Sequence, residues 1–265
     1  MINVHRTIKY LSGLTVTSLF CVQALISQTV VIKREGFARG FLALKSLDGK
    51  ILADGEQTQT VRGNQVTTRT VFRFKDGSIQ DETTIFSQQP NLKLISEHVI
   101  QKGPSFKESI DVSVASSGQI SGKSTGSDGK EKVITDHVEL PPDVANGIVV
   151  TLLKNLPSNT TNITVPFVAT TAKPRLVKLE ISFAGEDSFL VGGFSHRKAK
   201  HYVIKVKIGG VTGVVAPLVG KHPDDTHVWI LEGEVAAFVR SEGPFYQGGP
   251  IWRTEAAAPR WNVHQ

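Results

Sequence analysis

The most chemically suggestive stretch of the chain is residues 222–227, His-Pro-Asp-Asp-Thr-His. Two imidazoles and two carboxylates within six residues are suitable ligands for zinc or manganese. The spacing matches no helical or knuckle metal motif, however, and Pro-Asp-Asp is typical of a turn, here leading into Val228-Trp229-Ile230. We therefore expect a turn, and we predict no metal site and no cofactor.

Other combinations with catalytic potential are weak. Glu97-His98 and Asp136-His137 are adjacent pairs in predicted strands, where neighbouring side chains point to opposite faces, so neither pair can meet. The sequence has no nucleophile elbow, phosphate loop, dinucleotide fingerprint or His-Glu-x-x-His. A dispersed Ser-His-Asp triad stays open, since geometry alone identifies it. We predict that the protein is not an enzyme.

Two stretches could contact a ligand instead. Phe245, Tyr246 and Trp252 lie in a segment rich in Gly and Pro, where aromatic rings can bind an apolar ligand or a sugar ring, or can equally cap the end of a core. We prefer capping, and the three residues stay candidates for ligand contact. The basic stretch Ser195–His201 could meet phosphate head groups, but we expect a solvated loop and strand edge, where lysines discourage aggregation.

One helix is predicted, and its apolar face should line part of the ligand-binding concavity. Val144, Ile148, Leu152 and Leu156 recur every four residues, which gives one apolar face. Prolines at 141 and 142 suit a helix start, and a proline at 157 ends it. We predict a helix over about residues 142–156 that directs its apolar face into a concavity and its lysine and asparagine at 154 and 155 to water.

The rest of the chain reads as strands and tight turns. Alternating apolar and polar residues, punctuated by Gly, Asn and Asp, predict fifteen strands: residues 37–47, 56–61, 65–75, 78–87, 92–101, 109–115, 119–124, 130–140, 164–169, 176–183, 199–207, 211–216, 227–231, 236–241 and 251–256. Two strand blocks around one helix can close a continuous sheet. The predicted fold is mainly β: a curled antiparallel half-barrel with a central plug helix, in one domain over residues 29–258, followed by a loose tail at 259–265.

Two dipeptides set the predicted hairpin registers. Gly63-Asn64 and Asp76-Gly77 are typical of two-residue hairpin loops. With the second as pivot, Phe72 opposes Asp81 and Phe74 opposes Ile79. This register places both phenylalanines with Ile79 and Ile85 on the buried face and Glu82 on the other.

Residues 1–28 resemble a secretory signal. His5, Arg6 and Lys9 precede an uncharged apolar run over residues 11–26, with small residues near its end. We expect export with cleavage near residue 25 or 28 and a periplasmic or extracellular protein; the alternative is a retained anchor. Phe20 before Cys21 disfavours a lipid anchor, and removal of this only cysteine leaves no thiol for disulfides or catalysis.

Composition and charge limit the classes of partner that the protein is expected to bind. A chain of 265 residues with 40% apolar and 20% charged residues can bury a sizeable core. The net charge of +6 falls to about +4 without Arg6 and Lys9, which permits weak attraction to anionic lipid. No dense basic run with interleaved aromatics occurs, so we expect no nucleic-acid partner and at most peripheral membrane contact.

The layout of the later strands carries a resemblance. Gly-Gly-Val-Thr-Gly at 209–213, Val-Trp-Ile at 228–230 and Phe-Val-Arg at 238–240 follow the Pro-Pro-Asp helix in an otherwise hairpin-built chain. This resembles uncharacterised bacterial periplasmic proteins related to the lipoprotein-carrier (LolA-like) superfamily, whose half-barrel implies a concavity for acyl chains or a partner surface. The chain departs from true carriers in having few helices, and no carrier residue maps onto it.

The sequence therefore predicts an exported, non-enzymatic binding or carrier protein for an apolar ligand or acyl chain. The candidate ligand-binding residues are Val144, Ile148, Leu152, Phe245, Tyr246 and Trp252. The alternative is a structural or assembly protein of the cell envelope that binds a protein partner. A metal-dependent hydrolase is the third possibility.

Overall fold

The computed structural model describes residues 29–191, 195–208, 223–233 and 235–257, and this part of the chain contains fourteen strands and one helix. The strands are β1 Ala38–Ser46, β2 Ile51–Arg62, β3 Gln65–Phe74, β4 Ile79–Gln88, β5 Leu92–Lys102, β6 Ser109–Ala115, β7 Gln119–Thr125, β8 Glu131–His137, β9 Asn162–Ala169, β10 Arg175–Val191, β11 Ser195–Lys207, β12 Thr226–Leu231, β13 Ala237–Pro244 and β14 Ile251–Ala257; the helix is α1 Val149–Lys154.

All fourteen strands form one antiparallel sheet in the order β8-β7-β6-β5-β4-β3-β2-β1-β14-β13-β12-β11-β10-β9. Every neighbouring pair is also consecutive in the chain except β1 and β14, which join the two meanders at the centre of the sheet. The segment that carries α1 links the two edge strands, β8 and β9. The prediction of a mainly β, curled antiparallel sheet around one helix is confirmed.

Side chains and one connecting segment bring the two edges of the sheet together. Ile134 of β8 and Val168 of β9 belong to one apolar cluster with Val144 of the connection. The connection also occupies the free edge of β9, because Ala145 N donates to Pro166 O over 2.9 Å. An occupied edge cannot recruit a further strand, so this segment closes one side of the half-barrel without being a strand itself.

The helix is much shorter than predicted. It begins at Val149 rather than near residue 142, because Gly147 has a φ of +62°, which breaks the helical repeat. A Cβ at this position would lie 1.8 Å from Thr84 Oγ1, so β4 also excludes any side chain there. Residues 141–148 instead form successive turns, with hydrogen bonds from Val144 N to Pro141 O and from Ile148 N to Ala145 O.

The short helix nonetheless plugs the curled sheet. Ile148, Leu152 and Leu153 are buried in the main core, which also contains residues from β3 to β5 and from β9 to β12. A helix of six residues is not stable alone, so this burial between the two meanders holds it in place. The plug is therefore a product of tertiary packing rather than of helix propensity.

The expectation that Lys154 and Asn155 face water is wrong. The segment before β1 folds back over the helix, and Asn155 Oδ1 accepts hydrogen bonds from the backbone N–H of Ile32 and Lys33 at 2.8 and 2.6 Å. Lys154 Nζ lies 2.9 Å from Glu35 Oε1, and both side chains are largely buried. This strap, residues 30–37, covers the face of α1 that the sequence assigns to solvent.

The register predicted for the β3–β4 hairpin is wrong by one residue. Phe72 pairs with Gln80 and Arg73 with Ile79, because the loop has three residues, 75–77, and not two. Gly77, with a φ of +84°, supplies the left-handed position of such a loop. A shift of one residue transfers every β4 side chain to the other face, so Glu82 shares the face of Phe72. The Gly63-Asn64 loop does have the predicted register, with Arg62 opposite Gln65.

Some of the remaining predictions can be compared with the structure, and others fall on residues that it does not describe. The basic stretch Ser195–His201 belongs to strand β11, although its first four side chains are exposed as expected. The described residues do not include 1–28, 209–216, 259–265 or His222. The predicted signal, one predicted strand, the predicted tail and one of the two histidines of the 222–227 motif therefore lie outside them. Within the described ranges, no helix is long and apolar enough to cross a membrane.

Candidate functional site

The curled sheet borders a half-open cavity of about 810 Å³. Val150, Thr151 and Lys154 of α1 form one boundary, and Phe245 and Trp252 form another. The strap contributes a third side through Glu35 and its neighbours. The cavity thus lies between the plug helix, the aromatic end of the half-barrel and the strap.

The lining of this cavity is two-sided. Strands β1, β13 and β14, with the loop between the last two, supply a mainly apolar wall, interrupted by Ser241 and Thr254: Phe41, Leu42, Phe238, Phe245, Trp252 and Ala256. Strands β2, β3 and β4 supply a wall of amides, hydroxyls and one carboxyl: Gln57, Gln59, Thr68, Thr70, Gln80, Glu82 and Thr84. Such a cavity suits a molecule with an apolar body and hydrogen-bonding groups along one side.

The apolar wall continues into an aromatic cluster. Phe72 meets Phe245 edge-on at 5.3 Å between ring centroids, and Phe74 meets Trp252 at 5.6 Å. Tyr246 reaches Phe106 at 5.4 Å. Edge-to-face packing of this kind adds to apolar burial, so the loop over residues 245–250 is held against the end of the sheet. Trp252 is not in the loop but on β14.

The six residues proposed as ligand-binding fall into two groups. Phe245 and Trp252 line the cavity while they also pack in the aromatic cluster. Tyr246 packs in the cluster and is not among the lining residues, and Val144, Ile148 and Leu152 are buried in the two apolar cores. Phe245 and Trp252 therefore cap the core and border the cavity, and their contact with a ligand stays a prediction.

A pair of glutamates lies at the polar wall. Glu82 of β4 opposes Val99 of β5, two residues from Glu97, so the two carboxyls are diagonal neighbours on one face. Burial raises the pKa of Glu97 to about 8, and the charge of Glu82 contributes to the rise. Burial also raises the pKa of Glu82, against a hydrogen bond with Thr84. The pair therefore retains a proton at neutral pH.

Asn146 joins this pair to the edge of the sheet. Its Nδ2 donates to Glu97 Oε2 at 2.9 Å and to Val168 O at 2.8 Å, while its Oδ1 accepts from Val168 N at 2.7 Å. The side chain is fully buried, and these three bonds use both amide protons. Asn146 thus imitates a strand residue opposite Val168 and covers Glu97, leaving Glu82 as the member of the pair that lines the cavity.

Sequence reasoning missed the glutamate pair because of the hairpin register. Once Glu82 is assigned to solvent, nothing indicates that it meets Glu97 on the neighbouring strand. An available signal was Asp76-Gly77 itself, since the same dipeptide also ends three-residue loops with Gly in the left-handed position. The cap by Asn146 left no comparable signal in the sequence.

The histidine motif leads to a different cluster, on the outer face. His201 Nε2 and His227 Nδ1 are 2.8 Å apart, and the ring of His201 stacks on Trp229 at 4.4 Å. Trp229 Nε1 donates to Asp187 Oδ2 at 2.6 Å. Burial lowers the pKa of His201, and His227 lowers it further. Among the described residues no three His, Cys, Asp or Glu side chains are grouped to hold a metal ion.

This outer-face cluster is better explained by packing than by chemistry. The Arg240 guanidinium lies 5.0 Å from the Phe189 ring and 5.9 Å from the Trp229 ring. Its Nη2 also pairs with Glu255 at 2.7 Å. Cation–π contacts and cross-strand pairs of this kind stabilise a sheet surface. The cluster therefore ties β10 through β14 together on the side away from the cavity.

The chain matches no family model, and no curated protein matches it either. Among solved structures, it is similar to the crystal structure of a β-barrel-like protein of domain of unknown function DUF1849 from Brucella abortus. The two chains share 11% sequence identity with a TM-score of 0.49, over 84% of this chain and 97% of the other. The relation to the lipoprotein-carrier superfamily stays a prediction.

Proposed function

We propose that the protein is a non-enzymatic binding protein that holds an amphipathic ligand, with an acyl chain or similar apolar body, in the cavity of the half-barrel. The observation that carries the proposal is the division of the lining into an aromatic wall and a wall of amides and hydroxyls. The volume of about 810 Å³ lies within the usual range for small-molecule sites, about 300–1,000 Å³.

The polar wall refines the ligand expected from the sequence. A purely apolar ligand would offer no hydrogen bond to the Gln80 amide or to the hydroxyl proton of Thr70, whose oxygen accepts from Gln57 Nε2 at 3.2 Å, and burial of unpaired polar groups is costly. A ligand with a polar head can bond to this wall and lay its apolar body against Phe238 and Trp252. We therefore favour a lipid-like molecule over a hydrocarbon.

The glutamate pair does not lead us to propose catalysis. A general acid or base must lie within hydrogen-bond reach of the reacting atoms, and catalysis by the pair would need both carboxyls there. Glu97 is covered by Asn146 and does not line the cavity, so a ligand can meet Glu82 alone. Binding is the simpler role for this wall.

Export is part of the proposal. The charge and hydropathy pattern of residues 1–28 supports a secretory signal, and the remaining chain has no cysteine. We propose that the protein works in the periplasm or outside the cell, where lipid-like ligands must be shielded from water. N-terminal sequencing that begins at Met1 in a cytosolic fraction would contradict this part.

A fluorescent fatty-acid titration tests the binding role. Thr70→Trp places an indole in the cavity, whereas Thr67→Trp makes the same change on the opposite face of β3. We expect one probe to bind per chain, with affinity at least about tenfold lower for Thr70→Trp and little changed for Thr67→Trp. No binding by the wild type, or equal affinity of the two variants, would remove the proposal and favour an assembly protein of the envelope.

A further inference from the structure

The cavity opens at a rim that carries exposed apolar and basic side chains. Phe37 and Val235 line the cavity yet are 80% and 84% exposed, so they stand where its opening meets solvent. They come from different parts of the chain, the strap and the connection between β12 and β13. The hydrogen bond from Lys33 Nζ to Gly233 O, 2.8 Å long, ties these two segments together.

Two basic side chains also stand at this rim. Lys33 and Arg34 also line the opening, and neither forms an ion pair within the described part of the chain. The described carboxylates nearby are already engaged, since Glu35 pairs with Lys154, Glu56 with Arg39 and Glu232 with Lys200. Two basic side chains without an ion pair among the described residues, beside two protruding apolar side chains, match a surface with anionic head groups over an apolar interior.

We propose that this rim docks on an anionic phospholipid bilayer, with Phe37 and Val235 inserted at the head-group boundary and Lys33 and Arg34 on lipid phosphates. The docking site rests on the proposed function in one respect: it gives a lipid-like ligand a direct path between bilayer and cavity. Its few anchors make the attachment reversible, because each basic residue near such a surface contributes only about 1 kcal/mol.

Vesicle co-sedimentation tests the docking surface. The purified protein is mixed with phosphatidylcholine vesicles that do or do not contain phosphatidylglycerol, and all variants carry the same N-terminus. We expect binding only to the anionic vesicles and its loss at high salt, since screening weakens exposed charge pairs. Arg34→Glu/Phe37→Ser, in the strap, should lower partitioning onto the vesicles at least about tenfold. Val235→Ser, in the connection between β12 and β13, should lower it as well.

A matched control makes the same chemical change elsewhere. Lys130→Glu/Val133→Ser alters side chains that are 86% and 72% exposed near the β8 edge, away from the cavity lining, and should leave partitioning unchanged. No binding of the wild type to anionic vesicles, or equal loss for both double variants, overturns the proposal. So does a concentration-dependent dimer that Arg34→Glu/Phe37→Ser abolishes without vesicle binding, since a second copy would then occupy the rim.

The wild type is also titrated with the fatty-acid probe in the absence of vesicles. Probe binding without vesicle binding removes the docking surface and leaves the ligand-binding role. Vesicle binding without probe binding removes the ligand-binding role and leaves the docking surface. The two proposals can therefore fail separately.

Discussion

Glu97 is a buried carboxyl whose protonation is coupled to folding. Its pKa is raised from an ordinary value of 4.5 to about 8 by burial and by the charge of Glu82. A raised pKa in the folded state stabilises the protein below the unfolded pKa, and this stabilisation is lost as the pH rises through the folded value. The pH window for the effect is therefore about 4.5 to 8.

Glu97→Gln should flatten this pH dependence. Glutamine has the shape of the protonated acid and can still accept the bond from Asn146, but it does not titrate. We expect the wild type to lose on the order of a few kcal/mol more unfolding free energy than the variant across the window. Urea denaturation at pH values on both sides measures it. Parallel curves for the wild type and Glu97→Gln would contradict the assignment, and the exposed Glu131→Gln serves as control.

Replacing Lys154 should lower the free energy of unfolding far more than expected for a lysine predicted to face water. Lys154→Met keeps the aliphatic stem but leaves Glu35 largely buried without its cation, at a cost of about 1–3 kcal/mol. Lys198→Met, which breaks the exposed pair with Glu186, should leave the free energy of unfolding nearly unchanged. Chemical denaturation compares them, and a double-mutant cycle with Glu35→Gln isolates the pair. Equal small losses would mean that the strap does not hold the helix.

The elements of this fold are predictable from sequence to different degrees. Strand alternation is local, so β6 and most strands of the first meander were predicted within a few residues, and Gly63-Asn64 gave the correct register. Helix periodicity misled at 144–148, because apolar residues spaced by four also suit a buried series of turns. Only the contact between Gly147 and Thr84, remote in sequence, decides between them.

Gly147 should be the least replaceable residue of the connection. Gly147→Ala adds left-handed strain of about 1–2 kcal/mol and a Cβ that would meet Thr84 at 1.8 Å, so overpacking should add about 1–3 kcal/mol. Gly63→Ala has a similar φ of +59° and nothing within 4 Å, so it should cost the strain alone. Thermal unfolding of both variants measures the difference. A Gly147→Ala variant as stable as Gly63→Ala would mean that the connection does not press on β4.

At the scale of the molecule, two meanders meet at β1 and β14 and close around one plug. Neighbouring hairpins follow from local turns, but nothing local indicates that Leu44 pairs with Thr254 across the sheet. A concavity was predicted, but most of its lining escaped prediction for the same reason, since the lining combines the strap, β1 to β4, α1 and β13 to β14. Of the three residues proposed for their aromatic character, Phe245 and Trp252 line the cavity and Tyr246 does not.

The proposed binding role requires that the cavity holds a ligand in the protein purified from cells. Native mass spectrometry of protein purified without detergent measures this directly. We predict one lipid-like molecule per chain that organic solvent extracts, retained by Thr67→Trp and absent from Thr70→Trp, whose indole fills the same space. A wild-type spectrum with the mass of the bare chain alone, or with the same adduct on Thr70→Trp, would contradict the central claim.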